Sequence, residues 1–482
     1  MEETSMNILY VTSEAAPFCK TGGLADVAGS LPPALAALGH KVSVILPLYD
    51  TIPDAFRREM TFRRYIYVNL SWRHEYCGLL SMQLRGVTWY FVDNERYFRR
   101  GSLYGAGDDG ERFAFFSRAV PDLLPYLDDS PDVIHCNDWQ TALVPVYQKE
   151  LAAHGSGQTG AHTVFTIHNV EYQGKFSAST VDDLFGLDQG WYSGGTLEKD
   201  GCVNLMKGAM LTADAVTTVS PTYARQLHHG QYGEGMESVV QLCDDKFSGI
   251  VNGIDTESYD PARDPALPAH FSAGNLRGKA QCKRSLQQEL GLQTQCDAPL
   301  LSVVSRLVGH KGIDLICESL DAIMSTGCQL AVLGSGEGHY EDFFRYAQGK
   351  YPGRICAWIG YNEALARRIY AGSDLFLMPS RSEPCGLSQM IAMRYGALPI
   401  VRQTGGLNDT VRSCQLGQED GTGFVFADYN AFDMQYVIRQ AVDLYAMDHK
   451  RFAAVQQNAM TTDFSWGASA RAYEALYRRI CN

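Results

Sequence analysis

Short β-branched and apolar runs alternate with helical patterns along almost the whole chain. This alternation restricts the fold more than any other feature, because it is the pattern of parallel sheets wrapped by helices on both faces. In the first half, strands are predicted at 6–11, 42–47, 88–92, 132–136, 163–168 and 215–219, and helices at 24–38, 112–127, 141–151 and 204–212. A strand-like Gly249-Ile-Val-Asn-Gly-Ile-Asp255 then leads into a Pro-, Ala- and polar-rich stretch at 260–275. A second alternating series places strands at 300–304, 329–333, 355–359, 374–378 and 398–401. At 482 residues the chain exceeds what one core supports. The expected architecture is α/β: two doubly wound, parallel-sheet, Rossmann-like domains facing across a cleft. The first covers 1–245 and the second 246–460, and a C-terminal helix over 461–482 packs back on the first.

Charge and cysteine usage limit the partners. The formal net charge of -13 disfavours nucleic acid or an anionic membrane as the main partner, since binding phosphates needs clustered excess Lys and Arg. The 13 cysteines are scattered singly with no Cys-x-x-Cys pair, and Met1-Glu-Glu-Thr-Ser carries no charged-then-apolar leader, so a reduced, cytoplasmic protein is expected. No apolar stretch is long enough to span a bilayer.

Chemistry is concentrated in loops that follow predicted strands. Pro379-Ser-Arg-Ser-Glu-Pro-Cys-Gly-Leu-Ser388 joins a buried strand to a helix, and such loops line the ligand crevice of parallel sheets. Glu383 there is placed to meet a sugar hydroxyl or a developing positive charge, while Cys385 reads as a small packing residue. Ser305-Arg-Leu-Val-Gly-His-Lys311-Gly leaves another strand and opens a helix. Arg306 and Lys311 suit a diphosphate, the alternative being two surface cations at a rim. Lys20-Thr-Gly-Gly23 also lies between strand and helix, where Gly22 and Gly23 admit close backbone approach and the free N–H groups and helix dipole favour an anion. The alternative is an ordinary turn with a solvated lysine. Gly405-Gly406 offers a further backbone anion nest.

His135 and His168 both sit at strand ends, pointing into a crevice or serving as satisfied core residues. Tyr97, in a loop with Arg96, Arg99 and Arg100, either stacks on a ring or packs at a rim. Two Gly-x-Gly-x-x-Gly matches, at 105–110 and 155–160, lack the strand before and helix after that a dinucleotide site needs, and read as turns. No Walker A, His-Glu-x-x-His, Gly-x-Ser-x-Gly or Asp-x-Asp motif occurs.

Taken in order, several motifs carry a resemblance: Lys20-Thr-Gly-Gly-Leu-Ala-Asp-Val, His135-Cys-Asn-Asp-Trp, Phe165-Thr-Ile-His-Asn, Val219-Ser-Pro-Thr-Tyr, Val251-Asn-Gly-Ile-Asp, Ser305-Arg-Leu, Lys311-Gly, Ser380-Arg-Ser-Glu-Pro-Cys-Gly-Leu and Arg402-Gln-Thr-Gly-Gly-Leu. Together they make the chain resemble the bacterial glycogen synthases and plant-type starch synthases from its first strand to its last helix. The resemblance implies a GT-B fold and transfer of glucose from ADP-glucose, with retention, to the non-reducing end of an α-1,4-glucan. It implies that Lys20, Arg306 and Lys311 hold the diphosphate, with Gly22 and Gly23 admitting it. Glu383, Cys385, Gly386, Leu387, Asp138, Asn169 and His168 surround the glucosyl unit, Tyr97 and Asn252 lie near it, and Tyr361 stacks on the adenine. Ser388 belongs to the same binding loop and stands where these synthases often have Thr. Among these residues the catalytic set is Glu383, His168, Lys311 and Arg306. No metal ion and no cofactor are implied. Ile391 occupies the place of a second glutamate found in related retaining transferases, which favours the synthase branch. Two other readings stay open at this level: a catalytically silent glucan-binding or regulatory protein, and another GT-B enzyme using a UDP-sugar.

Overall fold

The computed structural model describes residues 5–155, 160–294, 297–414 and 419–482. Residues 1–4, and most of the glycine-rich match at 155–160, lie outside the described residues. The chain divides into two compact units, one formed by Met1–Gly253 with Trp466–Asn482 and the other by Ile254–Ser465.

The strands of the first unit are β1 (Asn7–Val11), β2 (Lys41–Pro47), β3 (Thr61–Leu70), β4 (Arg73–Leu84), β5 (Val87–Asp93), β6 (Val133–Asn137), β7 (His162–Ile167), β8 (Lys175–Phe176), β9 (Glu198–Lys199), β10 (Cys202–Asn204), β11 (Ala215–Thr218) and β12 (Phe247–Gly249). Nine of them form one sheet in the order β12-β11-β7-β6-β1-β2-β5-β4-β3, and β8, β10 and β9 form a small separate sheet. The large sheet is parallel from β12 to β5. β4 then runs antiparallel to both β5 and β3, an edge that the alternating pattern does not announce. The reason is visible in β3, where aromatic and arginine side chains are mixed and only Val68 and Leu70 are buried. A strand covered on both faces, such as β6 or β7, instead reads as a continuous buried run.

The division between units falls after Gly253, later than the expected 245, because β12 still pairs in parallel with β11. The last helix, Trp466–Cys481, lies in the first unit. It buries Trp466, Tyr473, Leu476 and Tyr477. Tyr477 Oη lies 2.7 Å from His135 Nδ1, and Ser469 Oγ donates to the Val251 carbonyl at 2.7 Å. His135 also meets Thr166 Oγ1 at 2.6 Å and is fully buried, so it is a satisfied core residue.

The second unit has one sheet of β13 (Leu300–Val304), β14 (Gln329–Gly334), β15 (Ile355–Ile359), β16 (Leu375–Met378), β17 (Leu398–Arg402) and β18 (Phe424–Phe426), in the order β15-β14-β13-β16-β17-β18 and parallel throughout. In each large sheet the strand order reverses beside its first strand, between β1 and β6 and between β13 and β16. Ligands of open parallel sheets bind at the carboxyl ends of the strands flanking such a reversal. Among the described residues no helix is long and apolar enough to cross a membrane.

Candidate active site

In the first unit, the loop after β1 reaches the helix Gly23–Ala37 through Lys20-Thr-Gly-Gly23. Its N-cap, Gly22, has no side chain to satisfy the helix end, and Glu14 takes that role. The Glu14 carboxylate accepts the Thr21 N–H at 2.6 Å and the Thr21 hydroxyl at 2.7 Å. Burial to 2% exposure raises its pKa, partly offset by its bonds to Thr21, Ala25 and Gly22. The helix end is therefore not an empty anion site, since a carboxylate of the chain already holds part of it. Lys20 pairs with Asp26 at 2.7 Å on the surface. The two glycines are not imposed by the fold. A Cβ on Gly23 would meet nothing within 4 Å, and one on Gly22 only Glu14 Oε1 at 3.7 Å.

β6 and β7 deliver a second cluster to the same sheet edge. Asp138, just past β6, has φ 55° and ψ 178°, a region that non-glycine residues enter at a cost of about 1–3 kcal/mol. It is held there by its N–H on the Thr166 carbonyl at 3.0 Å and by its Oδ1, which accepts the His168 N–H at 2.8 Å. Burial raises the Asp138 pKa to about 7, although bonds from the His168 and Asn169 backbones oppose the shift. His168 follows β7 and lies with its Nε2 2.9 Å from Asn137 Oδ1, and burial lowers its pKa to about 3. Asn169 is part exposed and accepts the Glu171 N–H at 3.0 Å. Asn252, near the end of the unit's longer segment, is buried with no partner for Oδ1 among the described residues.

In the second unit, the chain leaves β13 through Ser305 and Arg306 and makes a short turn, Gly309–Lys311, before the helix Ile313–Ser325. Gly312 has φ +75°, and a Cβ on it would lie 2.1 Å from the Pro379 carbonyl oxygen. Only glycine permits that approach, and the approach brings Lys311 to the loop after β16. Lys311 Nζ donates to Glu383 Oε2 at 2.6 Å, and Ser380 Oγ donates to the same oxygen at 3.0 Å. Glu383 is 6% exposed. The buried Arg402 supports the loop from below by donating to the carbonyls of Ser380 and Arg381. Arg306 is exposed and has no side-chain partner among the described residues. Cys385 is buried, Gly386 and Leu387 are part exposed, and Ser388 opens the helix Ser388–Arg394. Ile391 is buried in that helix.

Three expected site residues need correction. Tyr97 is not on an open loop. It lies in the short helix Glu95–Phe98, fully buried, with its ring 5.0 Å from that of Phe115 and its hydroxyl donating to Glu111 Oε1 at 2.6 Å. Gly405 and Gly406 are not an open nest. The Gly406 N–H donates to the Glu383 and Pro384 carbonyls, each at 3.1 Å, and Cβ atoms on the pair would fall 2.0 Å from Glu383 O and 2.1 Å from Cys385 O. These glycines let two backbones touch, which positions Glu383. Tyr361 stands 80% exposed just past β15. Sequence reasoning passed over Glu14, Asn137, Ser380 and Arg402. Asn137, Ser380 and Arg402 lie inside the motifs quoted above and Glu14 follows the first strand, and their polar character beside apolar strands was the available signal.

Both units match known protein families. Residues 7–242 match the family described as the starch synthase catalytic domain, and residues 291–458 match the glycosyl transferases group 1. Fold and matches together define a glycosyltransferase of GT-B fold. The chain is 46% identical over 475 residues to the glycogen synthase of Geobacillus thermodenitrificans (strain NG80-2), covering 98% of each protein. It is equally 46% identical to that of Streptococcus equi subsp. zooepidemicus (strain H70), covering 98% of this chain and 100% of the relative. Among solved structures, the catalytic domain of starch synthase IV from Arabidopsis thaliana, bound to ADP and acarbose, superposes with a TM-score of 0.90 at 37% identity, over 99% of this chain and 100% of that one. The chain belongs to the glycogen and starch synthase family. Its function is that of a glycogen or starch synthase, with a nucleotide-sugar donor and a glucan acceptor.

Proposed function

We propose that the donor is ADP-glucose and that its glucose passes, with retention, to the non-reducing end of an α-1,4-glucan. One observation carries the reading: at the strand reversal of the second unit, a lysine and a buried glutamate meet at 2.6 Å on loops from adjacent strands. In this scheme Lys311 and Arg306 hold the diphosphate. As the bond to glucose breaks, negative charge grows on the departing ADP, and cations that gain more from that charge than from bound substrate lower the barrier. Lys20 joins them by giving up Asp26, an exposed pair worth about 0–1 kcal/mol. Glu383 and its loop neighbours Cys385, Gly386, Leu387 and Ser388 contact the glucosyl unit, together with Asp138, His168, Asn169 and Asn252. Tyr361 stacks on adenine through its exposed ring. The second unit thus handles the donor nucleotide and the first the glucan. The ADP held by the plant relative supports an adenine nucleotide. The scattered cysteines, unpaired among the described residues, suit a cytoplasmic enzyme.

A nucleotide-sugar competition assay with glycogen as acceptor tests the proposal. Labelled glucose is expected to enter glycogen from ADP-glucose, with unlabelled UDP-glucose competing poorly. Incorporation from UDP-glucose alone would overturn the donor assignment, and incorporation from neither would overturn the transfer.

A further inference from the structure

Asn137 ends β6, is fully buried, and is bonded at both ends of its amide. Its Nδ2, which only donates, faces two carbonyl oxygens, Val11 at 3.0 Å and His135 at 3.4 Å. The amide cannot be turned over, because Oδ1 in that position would face oxygens with no hydrogen between them. Oδ1 therefore faces Tyr10 Oη and His168 Nε2, each at 2.9 Å. An amide oxygen only accepts, so both neighbours donate and His168 Nε2 carries a hydrogen. Burial keeps the ring neutral in the neutral pH range. A neutral imidazole has a single N–H, which leaves Nδ1 bare with an in-plane lone pair. Nδ1 has no partner among the described residues, and the ring is only part buried.

We propose that Asn137 is a positioning residue that locks His168 in its Nε2–H tautomer, so that Nδ1 accepts a hydrogen bond from a hydroxyl of the transferred glucosyl unit. The proposal rests on the reading that His168 meets that sugar. It gives His168 a defined and limited part: with no spare proton it is not an acid toward the leaving diphosphate, and with no charge it does not bind the diphosphate electrostatically. It also confers selectivity, since a bare nitrogen covered by the sugar and left unpaired disfavours a sugar lacking that hydroxyl. The groups facing the ring are consistent with neutrality. Tyr10 is a buried phenol with a raised pKa, His135 is a buried imidazole with a lowered one, and Asp138 bonds the His168 main chain instead of its ring.

Nitrogen-15 NMR of histidine-labelled protein at neutral pH, with His168→Gln to assign the signal, reads the tautomer directly. The expected result is a protonated Nε2 and a bare Nδ1, and a protonated Nδ1 overturns the lock. Asn137→Leu is expected to mix the tautomers and lower kcat/KM about tenfold while leaving inhibition by ADP unchanged. Asn137→Asp, when its carboxyl is protonated, donates that hydrogen to the Val11 carbonyl in place of Nδ2 and returns an acceptor oxygen to the same place, so below the pKa of that carboxyl it is expected to restore the Nε2–H signal and part of the activity, and it carries the test if the leucine variant fails to fold. No recovery over leucine overturns the proposal. A bare Nδ1 combined with undiminished kcat/KM in His168→Gln overturns the sugar contact, leaving the donor to the competition assay.

Discussion

The loops at the carboxyl ends of the two large sheets solve opposite electrostatic problems. In the first unit the titratable groups of these loops are neutral or pushed toward neutrality by desolvation: Asp138 is raised to about 7, His168 is lowered to about 3, and Glu14 is raised by burial. In the second unit Lys311 is ion-paired to the nearly buried Glu383, and Arg306 stands in solvent. A neutral hydrogen-bonding wall suits sugar hydroxyls, whereas fixed cations suit a diphosphate whose charge grows in the transition state. The glycines differ in the same sense. Those of the first unit's loop leave open space, and those of the second allow backbones to touch.

The largest expected effect comes from removing the cation of the second unit. Lys311→Ala is expected to lower kcat about a thousandfold, near 4 kcal/mol, while affinity for glycogen changes little. Steady-state kinetics with ADP-glucose, beside a glycogen co-sedimentation assay, checks the split. A loss confined to glycogen binding would break the contrast between the units.

The glycine contrast gives the next effect. Gly406→Ala forces a Cβ against the Cys385 carbonyl, so the loop carrying Glu383 must shift, and a stability loss of about 3 kcal/mol in urea unfolding is expected together with a fall in kcat. Gly23→Ala meets nothing in the protein, so its unfolding midpoint should stay at or above that of the wild type while KM for the donor rises. Equal stability losses in both variants would erase the distinction.

The neutral wall has a pH signature. Asp138 has a reference pKa of 3.8, expected in the unfolded chain, and one of about 7 in the fold. Between those values the folded protein keeps a proton that the unfolded chain has lost, so stability falls as pH rises from about 4 to about 7 and then levels. Asn at this position does not titrate. The stability of Asp138→Asn relative to wild type is therefore expected to climb by about 2 kcal/mol across that window, less than the full shift implies because the residue is only part buried. Urea unfolding at several pH values measures this, and a flat difference would mean that the carboxylate is well solvated.

How much of this was legible in the sequence depended on whether the signal was local. The parallel cores are written as continuous apolar runs, so β1, β6, β7, β13 and β14 appear within a residue or so of their observed limits. The β3–β4 hairpin was not legible, because its stability comes from cross-strand neighbours and its sequence does not show one buried run. Motif residues at strand ends were legible for the same local reason. Their partners were not: Glu14 reaching Thr21, Asn137 orienting His168 and Arg402 beneath Glu383 are contacts made by folding. Gly405-Gly406 shows the limit most plainly, since an anion nest and a backbone contact are spelled with the same letters.

Tyr97 supplies the smallest effect and the sharpest boundary to the first unit's site. As a ring on an open arginine-rich loop it would touch substrate. As a core residue it contributes a buried hydroxyl bonded to Glu111, with the ring packed on Phe115. Tyr97→Phe keeps the ring and removes the hydroxyl, so a stability loss of about 1 kcal/mol is expected, with kcat and KM for the donor unchanged. The partner left behind limits the cost, because Glu111 retains Arg73 at 3.2 Å and Arg96 at 3.3 Å. A rise in KM at unaltered stability would instead return Tyr97 to the binding surface and extend the neutral wall to the arginine-rich segment.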